Sequence, residues 1–222
     1  MSSQRWRFSL ADRLVSGAMG PVLRGSRINM RPLRPSDFLS WQEVRRRNAS
    51  WLEPWEPQRP PGAPNAVEIR RAFEARCEMR DRERANGTAF GFGVFLEDRL
   101  IGECNINNVH RGAMQGGSIG YWIDQASAGR SFTSEAVVCA LSFSFEELGL
   151  HRIEIAIIPR NQRSRRVVEK LGLREEGIAQ RFLEINGEWE DHVRYAITSE
   201  EWLERQSEFV AAWLERTTDD EG

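Results

Sequence analysis

The sequence has few cysteines and no excess of charge of either sign, and both features exclude classes of protein. Cys77, Cys104 and Cys139 are odd in number, widely spaced and without metal-ligand spacing. They are typical of reduced thiols in a cytoplasmic protein rather than of a disulfide framework or a metal site. The 31 basic and 33 acidic residues give a formal net charge of −2. Because nucleic-acid-binding domains usually carry a strong basic excess, direct nucleic-acid binding is not expected as the main activity.

Long apolar runs, repeats and low-complexity linkers are also missing. No apolar stretch approaches the length of a membrane span, and residues 1–20 lack the continuous apolar core of a secretory signal. We therefore expect a single domain over residues 25–217, with its C-terminal helix included. Residues 1–24 are an N-terminal extension, with two interpretations open, a short amphipathic helix or a flexible or surface-packed arm. Residues 218–222 form an acidic tail.

One stretch, residues 121–173, carries the strongest signal. It runs from a strand at Tyr121–Asp124 through a turn of small residues to a predicted helix at 134–148, a strand at 152–158 and a closing helix. A small-residue turn before a helix lets several backbone N–H groups point outward together, and the helix dipole adds positive potential there. The pattern predicts an anion site suited to a diphosphate.

The remaining elements follow from apolar periodicity, caps and turn residues. Strands are predicted over 27–33, 88–96, 100–109, 118–123, 173–184 and 189–197, the last two joined by an Asn186-Gly187 turn, and helices over 38–47, 66–85, 164–171 and 200–216.

Two motifs in the 121–173 stretch point to a family. They are Ala128-Gly129-Arg130-Ser131-Phe132-Thr133 and Asn161-x-x-Ser164-x-x-Val167-Val168-Glu169-Lys170-Leu171-Gly172-Leu173. With their spacing, they resemble the acyl-CoA core of the GNAT superfamily, and in particular the RimJ/RimL-type N-acetyltransferases, which acetylate ribosomal-protein N-termini. The family's loop pattern is Arg/Gln-x-x-Gly-x-Gly/Ala, and Ala128, Ser131 and Thr133 depart from it. The resemblance extends over about residues 28 to 201.

The resemblance implies an α/β (α+β) fold, with a mixed, mostly antiparallel sheet of six to seven strands flanked by helices. In this fold the strands here spanning 121–123 and 153–158 form a central parallel pair. They part to admit the pantetheine arm of acetyl-CoA, which serves as donor substrate. No metal is implied.

Cofactor contacts are implied at several residues. The backbone of Trp122 and Ile123 would bind the pantetheine or the acetyl carbonyl, and the 128–133 turn would bind the pyrophosphate. Arg130 would lie beside the diphosphate, although an exposed surface arginine fits the sequence equally. Asn161 matches a cofactor-contacting asparagine of the family, although Asn is also a common turn former after a proline.

A proline-rich segment, residues 51–64, is predicted to be a stiff, non-helical loop. It presents Trp51, Trp55, Glu53 and Glu56. One interpretation is an acceptor wall, in which the rings hold a peptide or amine and the carboxylates hold a cationic amine. The other is a loop pinned by buried tryptophans with solvated glutamates. In RimJ/RimL-type enzymes the matching segment flanks the acceptor site, which favours the first.

Catalysis of direct acetyl transfer needs an acid and a base. By resemblance, Ser164 supplies the hydroxyl that protonates the leaving thiolate, the alternative being a plain helix N-cap. Glu53 is a candidate base, and a water chain could serve instead. Glu103 is a reserve base, on a face of its strand shared with Asn105 and Asn107. That stripe is either the floor of an acceptor pocket or a solvent-facing surface.

Together these expectations describe a cytoplasmic acetyl-CoA-dependent N-acetyltransferase, monomeric or homodimeric, with no membrane partner. Its expected acceptor is the α-amine of a protein N-terminus. Two alternatives stay open, a small-amine or antibiotic N-acetyltransferase and a non-catalytic acyl-CoA-binding protein.

Overall fold

The computed structural model describes residues 20–215, which form one sheet with helices packed against it. The strands are β1 Leu23–Arg24, β2 Ile28–Arg31, β3 Phe90–Leu96, β4 Arg99–His110, β5 Gly116–Ile123, β6 Arg152–Ile157, β7 Arg174–Ile185 and β8 Glu188–Thr198. The helices are α1 Phe38–Arg47, α2 Ala49–Leu52, α3 Arg70–Ala85, α4 Phe132–Ser142, α5 Gln162–Lys170 and α6 Ser199–Trp213. The interpretations given for residues 1–19 and for the acidic tail lie outside the described residues.

The sheet is mixed, in the order β1-β2-β3-β4-β5-β6-β8-β7. The parallel pair expected at its centre, β5 with β6, is confirmed, and the other neighbouring strands are antiparallel. β5 and β6 are paired over only three residue pairs, the last being Ser118 with Glu154. Both strands continue beyond this point, so their backbone groups there can bind something other than a neighbouring strand. A wedge therefore opens in the middle of the sheet.

Alternation along β4 explains why helices cover both faces. The Sγ atom of Cys104 lies 3.8 Å from the carbonyl oxygen of Ala136 in α4. The preceding residue, Glu103, accepts a hydrogen bond from Trp41 of α1. Successive strand side chains point to opposite faces, so α4 and α1 lie on opposite sides of the sheet. The main core lies on the α4 side, and a smaller cluster, which includes Phe38, Phe73 and Trp41, lies under α1 and α3.

The sheet begins earlier than the sequence predicted. Leu23 and Arg24, assigned to the N-terminal extension, form β1 and pair with Met30 and Asn29 of β2. Leu23 is buried. A two-residue strand is too short to show a period of two, which is why it was missed. The sheet consequently has eight strands rather than six or seven.

Two local predictions around the proline-rich segment were wrong. The helix expected from residue 66 begins at Arg70, because the side chain of Asn65 accepts from the N–H of Val67 at 3.0 Å and closes a local turn instead. The segment 51–57 is not an irregular loop, since Trp51 lies in α2 and Glu53–Trp55 form a 3₁₀ turn. The proline within that turn is tolerated because a first helical turn needs no N–H donor.

The predicted Asn186-Gly187 turn is confirmed, and of the two caps that the sequence allows for the last helix, Thr198 and Ser199, the structure has Thr198. Asn186 and Gly187 join β7 to β8 with φ angles of 49° and 87°, as an Asn-Gly hairpin turn requires. Thr198 caps α6, and Glu201 completes a capping box with it.

A buried carboxylate fixes the N-terminal end of α4 to the sheet. Glu135 is fully buried and accepts hydrogen bonds from the backbone N–H groups of Arg27 at 2.6 Å and Ile28 at 3.1 Å. The guanidinium of Arg27 adds an ion pair at 2.9 Å. A Cβ placed on Gly25 would lie 2.4 Å from the carboxylate oxygen, so only glycine fits there without a shift. The start of β2 and the first turn of α4 are thus held together.

We predict that Glu135→Gln lowers the free energy of unfolding by about 3 kcal/mol, because an amide group would face buried N–H donors and leave Arg27 without its counter-ion. Urea unfolding at neutral pH measures this change. Glu147→Gln, at an exposed position just after α4, is the matched control and should leave stability unchanged. Equal stability of the two variants would contradict the role of the Glu135 carboxylate in holding α4 to β2.

Candidate active site

The turn between β5 and α4 has an accessible backbone. Gly129 and Ser131 have φ angles of 77° and 65°, and α4 begins at Phe132. Nothing in the described part of the chain lies within 4 Å of a Cβ placed on Gly129. Among the described side chains, none caps the N-terminus of α4. The N–H groups of its first turn, with the helix dipole, therefore suit an anion.

Cations surround this turn. The guanidinium carbons of Arg27 and Arg130 lie 4.7 and 4.9 Å from the ring centre of Phe132. The ammonium of Lys170 lies 2.6 Å from the Oγ atom of Ser131. Arg130 was a candidate from the sequence, whereas Arg27 and Lys170 were not, because the fold brings them from other elements. Their charge would complement a diphosphate.

Ser164 lies in the first turn of α5 but does not cap it. The N-cap is Asn161, whose Oδ1 accepts from the N–H of Ser164 at 3.1 Å. The Ser164 hydroxyl donates to the Oη atom of Tyr121 at 3.1 Å, and the Tyr121 hydroxyl donates to the Ser164 carbonyl oxygen at 3.1 Å. The N-cap interpretation of Ser164 is therefore wrong, and its role as proton donor stays a prediction. The cofactor contact of Asn161 also stays a prediction, beside its capping role.

Tyr121 was not among the residues predicted from the sequence, because the fold brings it from β5 to α5. It lies beyond Ser118, where β5 has left β6, and it packs against the main core. Burial raises the pKa of its hydroxyl above the usual range. The wedge therefore contains two contacting hydroxyl groups, one from each side.

The predicted pantetheine-binding residues Trp122 and Ile123 lie at the end of β5, within the part that is not paired with β6. The carbonyl oxygen of Ile123 accepts from the indole N–H of Trp51 at 3.1 Å. The guanidinium carbon of Arg45 lies 5.1 Å from the Trp122 ring centre. The end of β5 is thereby tied to the proline-rich segment.

The two tryptophans of that segment reach across the open end of the wedge. The guanidinium carbon of Arg163 lies 4.4 Å from the ring centre of Trp51, and that of Arg160 lies 4.9 Å from the ring centre of Trp55. Both arginines come from the segment around the start of α5. Both tryptophans are half-buried. The two rings are thus neither fully buried anchors of the segment nor fully exposed surface groups. Their role in binding an acceptor stays a prediction.

The two glutamates of the segment differ. Glu56 forms a two-pronged ion pair with Arg45, at 2.6 Å for each contact, and its carbonyl oxygen accepts from the N–H of Asn186 in the β7–β8 turn at 2.9 Å. Its charge is therefore largely compensated within the protein. Glu53 is exposed. Of the pair, Glu53 has the carboxylate better placed to meet a cationic acceptor from solvent.

Glu103 is not on a solvent-facing surface, and it is poorly suited to act as a base. It is 2% exposed under α1 and α3, and it accepts from Trp41 at 2.7 Å and from Arg76 at 2.5 Å. Burial alone would raise its pKa, but the charge of Arg76 and both hydrogen bonds hold the pKa below its usual range. The other residues of the stripe, Asn105 and Asn107, are half-buried. The sequence could not show that helices cover this face.

A second buried carboxylate shapes the site, and the sequence reasoning missed it. Asp124, directly after β5, is 1% exposed and contacts Arg47 at 2.6 Å and the amide of Asn48 at 2.8 Å. Asn48 in turn accepts from the N–H of Gln125 at 2.9 Å. The end of α1 thereby fixes the start of the turn that leads to α4. Partners 76 and 77 residues apart leave no local sequence signal.

Cys77 and Cys104 are buried, and burial is the largest influence on their pKa values, which rise to about 11 and about 12. Both thiols are therefore protonated at neutral pH and unsuited to act as nucleophiles. Within residues 20–215, no three His, Cys, Asp or Glu side chains are grouped so as to hold a metal ion. Over the same residues, no helix has the length and apolar character needed to cross a membrane.

We predict that Asp124→Asn destabilises the protein in a pH-dependent way. Burial raises the pKa of Asp124, but hydrogen bonds from Arg47 and Asn48 outweigh burial and hold the pKa below its usual value. The charged carboxylate therefore contributes stability at pH values above the unfolded pKa of about 3.9, and this contribution is lost as pH falls through the folded pKa. The variant should lose about 2 kcal/mol at pH 7.

Urea unfolding between pH 7 and pH 3 tests this prediction. The difference in the free energy of unfolding between wild type and Asp124→Asn should become smaller at the acidic end. Asp81→Asn, which alters an exposed ion pair with Arg84, is the control and should show almost no gap. A gap for Asp124→Asn that stays constant with pH would contradict the proposed charge state.

Comparison with known proteins agrees with this geometry. Residues 27–174, well over half of the chain, match a family model described as "Acetyltransferase (GNAT) domain". A "Probable N-acetyltransferase YjcK" of Bacillus subtilis (strain 168) is 36% identical over 79% of this chain and 96% of its own length. The "[Ribosomal protein uS5]-alanine N-acetyltransferase" of Escherichia coli (strain K12) is 34% identical over 70% of this chain and 79% of its own length.

A solved structure shows the same architecture. "Mycobacterium smegmatis RimJ in complex with CoA-disulfide" superposes with a TM-score of 0.77 at 31% identity, and the match covers 86% of this chain and 92% of that one. Most of the chain therefore has the same fold as a protein that was solved with a coenzyme A disulfide. The chain belongs to the GNAT family of acetyltransferases, and it is an acyltransferase of the RimJ/RimL-like type.

Proposed function

We propose that this protein transfers an acetyl group from acetyl-CoA directly to the α-amine of a protein N-terminus, with a ribosomal protein as the most fitting acceptor. The observation that carries the proposal is the wedge between β5 and β6, which has an anion-binding turn near its open end and the Tyr121–Ser164 hydroxyl pair inside it. These features correspond to the pyrophosphate, the pantetheine and the leaving sulfur of the donor.

The donor side fits acetyl-CoA despite the altered loop. In the turn 128–133, Ser131 replaces a family glycine and keeps a left-handed φ of 65°. Backbone N–H groups, not side chains, bind phosphate at a helix N-terminus, so a small residue is compatible with the role. Arg27, Arg130 and Lys170 add positive charge beside the turn. The pantetheine would then enter the wedge along Trp122 and Ile123.

The acceptor side is proposed between the proline-rich segment and the β7–β8 hairpin. Trp51 and Trp55 lie across the open end of the wedge, and the Asn186 N–H joins the hairpin to the segment at Glu56. Half-buried aromatic rings with an exposed carboxylate, Glu53, suit an extended chain that starts with an ammonium group. The E. coli relative is named for action on an alanine of ribosomal protein uS5, which supports a protein acceptor.

The reaction requires few protein groups because the thioester is already activated. The acceptor nitrogen forms a C–N bond with the acetyl carbon, and the C–S bond then breaks. Ser164 gives its hydroxyl proton to the leaving sulfur, and the proton lost from the nitrogen returns to Ser164 through water. Glu53 or water receives the ammonium proton before attack, since an α-amine has a pKa of only about 8. The buried, protonated thiols of Cys77 and Cys104 support direct transfer rather than a cysteine intermediate. We expect this to take place in the cytoplasm, in a monomer or homodimer.

We predict that free thiol is released from acetyl-CoA when the protein meets a peptide that begins with Ala or Ser, because its α-amine is the nucleophile. Thiol detection with a chromogenic disulfide measures the rate. The matched control is the same peptide with an acetylated N-terminus and unchanged side chains, which should release none.

Two other outcomes would contradict the proposal in different ways. Faster turnover of polyamines or aminoglycosides than of the peptide would assign the site to small amines. Tight binding of acetyl-CoA with no thiol release from any acceptor would make the chain an acyl-CoA-binding protein without transferase activity.

A further inference from the structure

Tyr121 is the partly buried titratable group closest to the proposed chemistry, and the mechanism above gives it no role of its own. Its Oη atom lies between two atoms of Ser164, 3.1 Å from the hydroxyl that donates to it and 3.1 Å from the carbonyl oxygen that accepts from it. Tyr121 is on β5 and Ser164 is on α5. The two hydrogen bonds therefore connect these elements beyond the point where β5 and β6 cease to pair.

We propose that Tyr121 is a positioning residue for acetyl transfer. It holds the Ser164 hydroxyl toward the wedge and donates a hydrogen bond to that oxygen as its proton moves to the leaving sulfur. This inference rests on the proposed function, in which Ser164 is the proton donor.

The hydrogen-bond directions make this role possible. In the resting arrangement the Ser164 hydroxyl donates to Tyr121, and the Tyr121 hydroxyl donates to the Ser164 carbonyl oxygen. When sulfur takes the Ser164 proton, the Ser164 oxygen becomes an acceptor, and a rotation of the Tyr121 O–H bond brings a donor to it. Tyr121 keeps its own proton throughout, and the proton lost by the acceptor nitrogen restores the Ser164 hydroxyl through water.

The surroundings favour this step. Burial holds the pKa of Tyr121 above its usual range, so the group remains a neutral O–H donor at working pH. Ser164 lies in the first turn of α5, where the helix dipole stabilises negative charge that develops on its oxygen or on sulfur. Asn161 fixes this turn by accepting from the Ser164 N–H at 3.1 Å. The hydroxyl pair is thus preorganised before the substrate arrives.

The chain contains its own matched control. It has only two tyrosines, and the other, Tyr195, is buried and is also bonded to α5, through the Nε atom of Arg165 at 3.0 Å. Tyr195→Phe removes a phenol hydroxyl that contacts the same helix but not Ser164. Any loss that comes only from weakened packing or helix docking should therefore appear in both Tyr→Phe variants.

The experiment compares Tyr121→Phe, Ser164→Ala, the double variant and Tyr195→Phe, with acetyl-CoA and whichever amine the wild type accepts best. We expect kcat to fall about 100-fold in Ser164→Ala and about 10-fold in Tyr121→Phe, with KM for acetyl-CoA within about twofold. The double variant should equal Ser164→Ala, because Tyr121 acts through Ser164. Ser164→Thr, which keeps a hydroxyl, should recover most of the rate. Tyr195→Phe should keep the wild-type kcat.

A second measurement needs no acceptor, so it separates this inference from the proposed function. The thiol of bound coenzyme A is titrated by the ultraviolet absorbance of its thiolate. If Ser164 donates to that sulfur with support from Tyr121, both Ser164→Ala and Tyr121→Phe raise the pKa of the bound thiol relative to wild type and Tyr195→Phe. An unchanged thiol pKa in Tyr121→Phe would overturn the inference. A double variant whose kcat loss is the product of the two single losses would also overturn it. Absence of turnover with every amine, with both thiol pKa shifts present, would overturn the proposed function and leave only the hydrogen bonding of Tyr121 and Ser164 toward the coenzyme A sulfur.

Discussion

The separation of β5 from β6 is the constraint on which the rest of the structure depends. Three residue pairs join the strands, and beyond Ser118 and Glu154 each runs on without the other. Unpaired strand backbone inside a sheet is costly unless something else binds it. The gap persists because both sides are held from outside, β5 by β4 and β6 by β8. We propose that the pantetheine arm of acetyl-CoA supplies amide groups to this gap and thereby completes the sheet.

Buried carboxylates fix the elements around this gap. Asp124 ties the end of β5 to α1, Glu135 ties the first turn of α4 to β2, and Glu103 ties β4 to α1 and α3. Each has an arginine partner and at least one further hydrogen-bond donor, which a buried charge requires. Their contribution is geometric as well as energetic, because a small shift of the turn or of Tyr121 would separate the groups that must act together.

The order of elements and the Asn186-Gly187 hairpin could be predicted because each leaves a local pattern in the sequence. The parallel central pair was predicted only through the resemblance of the 128–133 and 161–173 motifs to the GNAT family. The turn at 128–133 was likewise predictable from small residues before a helix. The Tyr121–Ser164 contact was not, since it joins residues 43 apart through the fold. Glu103 shows the converse, because period-two alternation assigns it to a face but cannot show that α1 and α3 cover that face. Arg70 as the start of α3 was missed because an Asn65 turn competes with a helix cap.

The most direct test of this account is a crystal structure of the protein with coenzyme A bound. The account predicts the pyrophosphate on the backbone of residues 128–133, the pantetheine between β5 and β6, and the sulfur within about 3.5 Å of the Ser164 Oγ atom. Coenzyme A bound outside the wedge, or a sulfur remote from Ser164 and Tyr121, would contradict it.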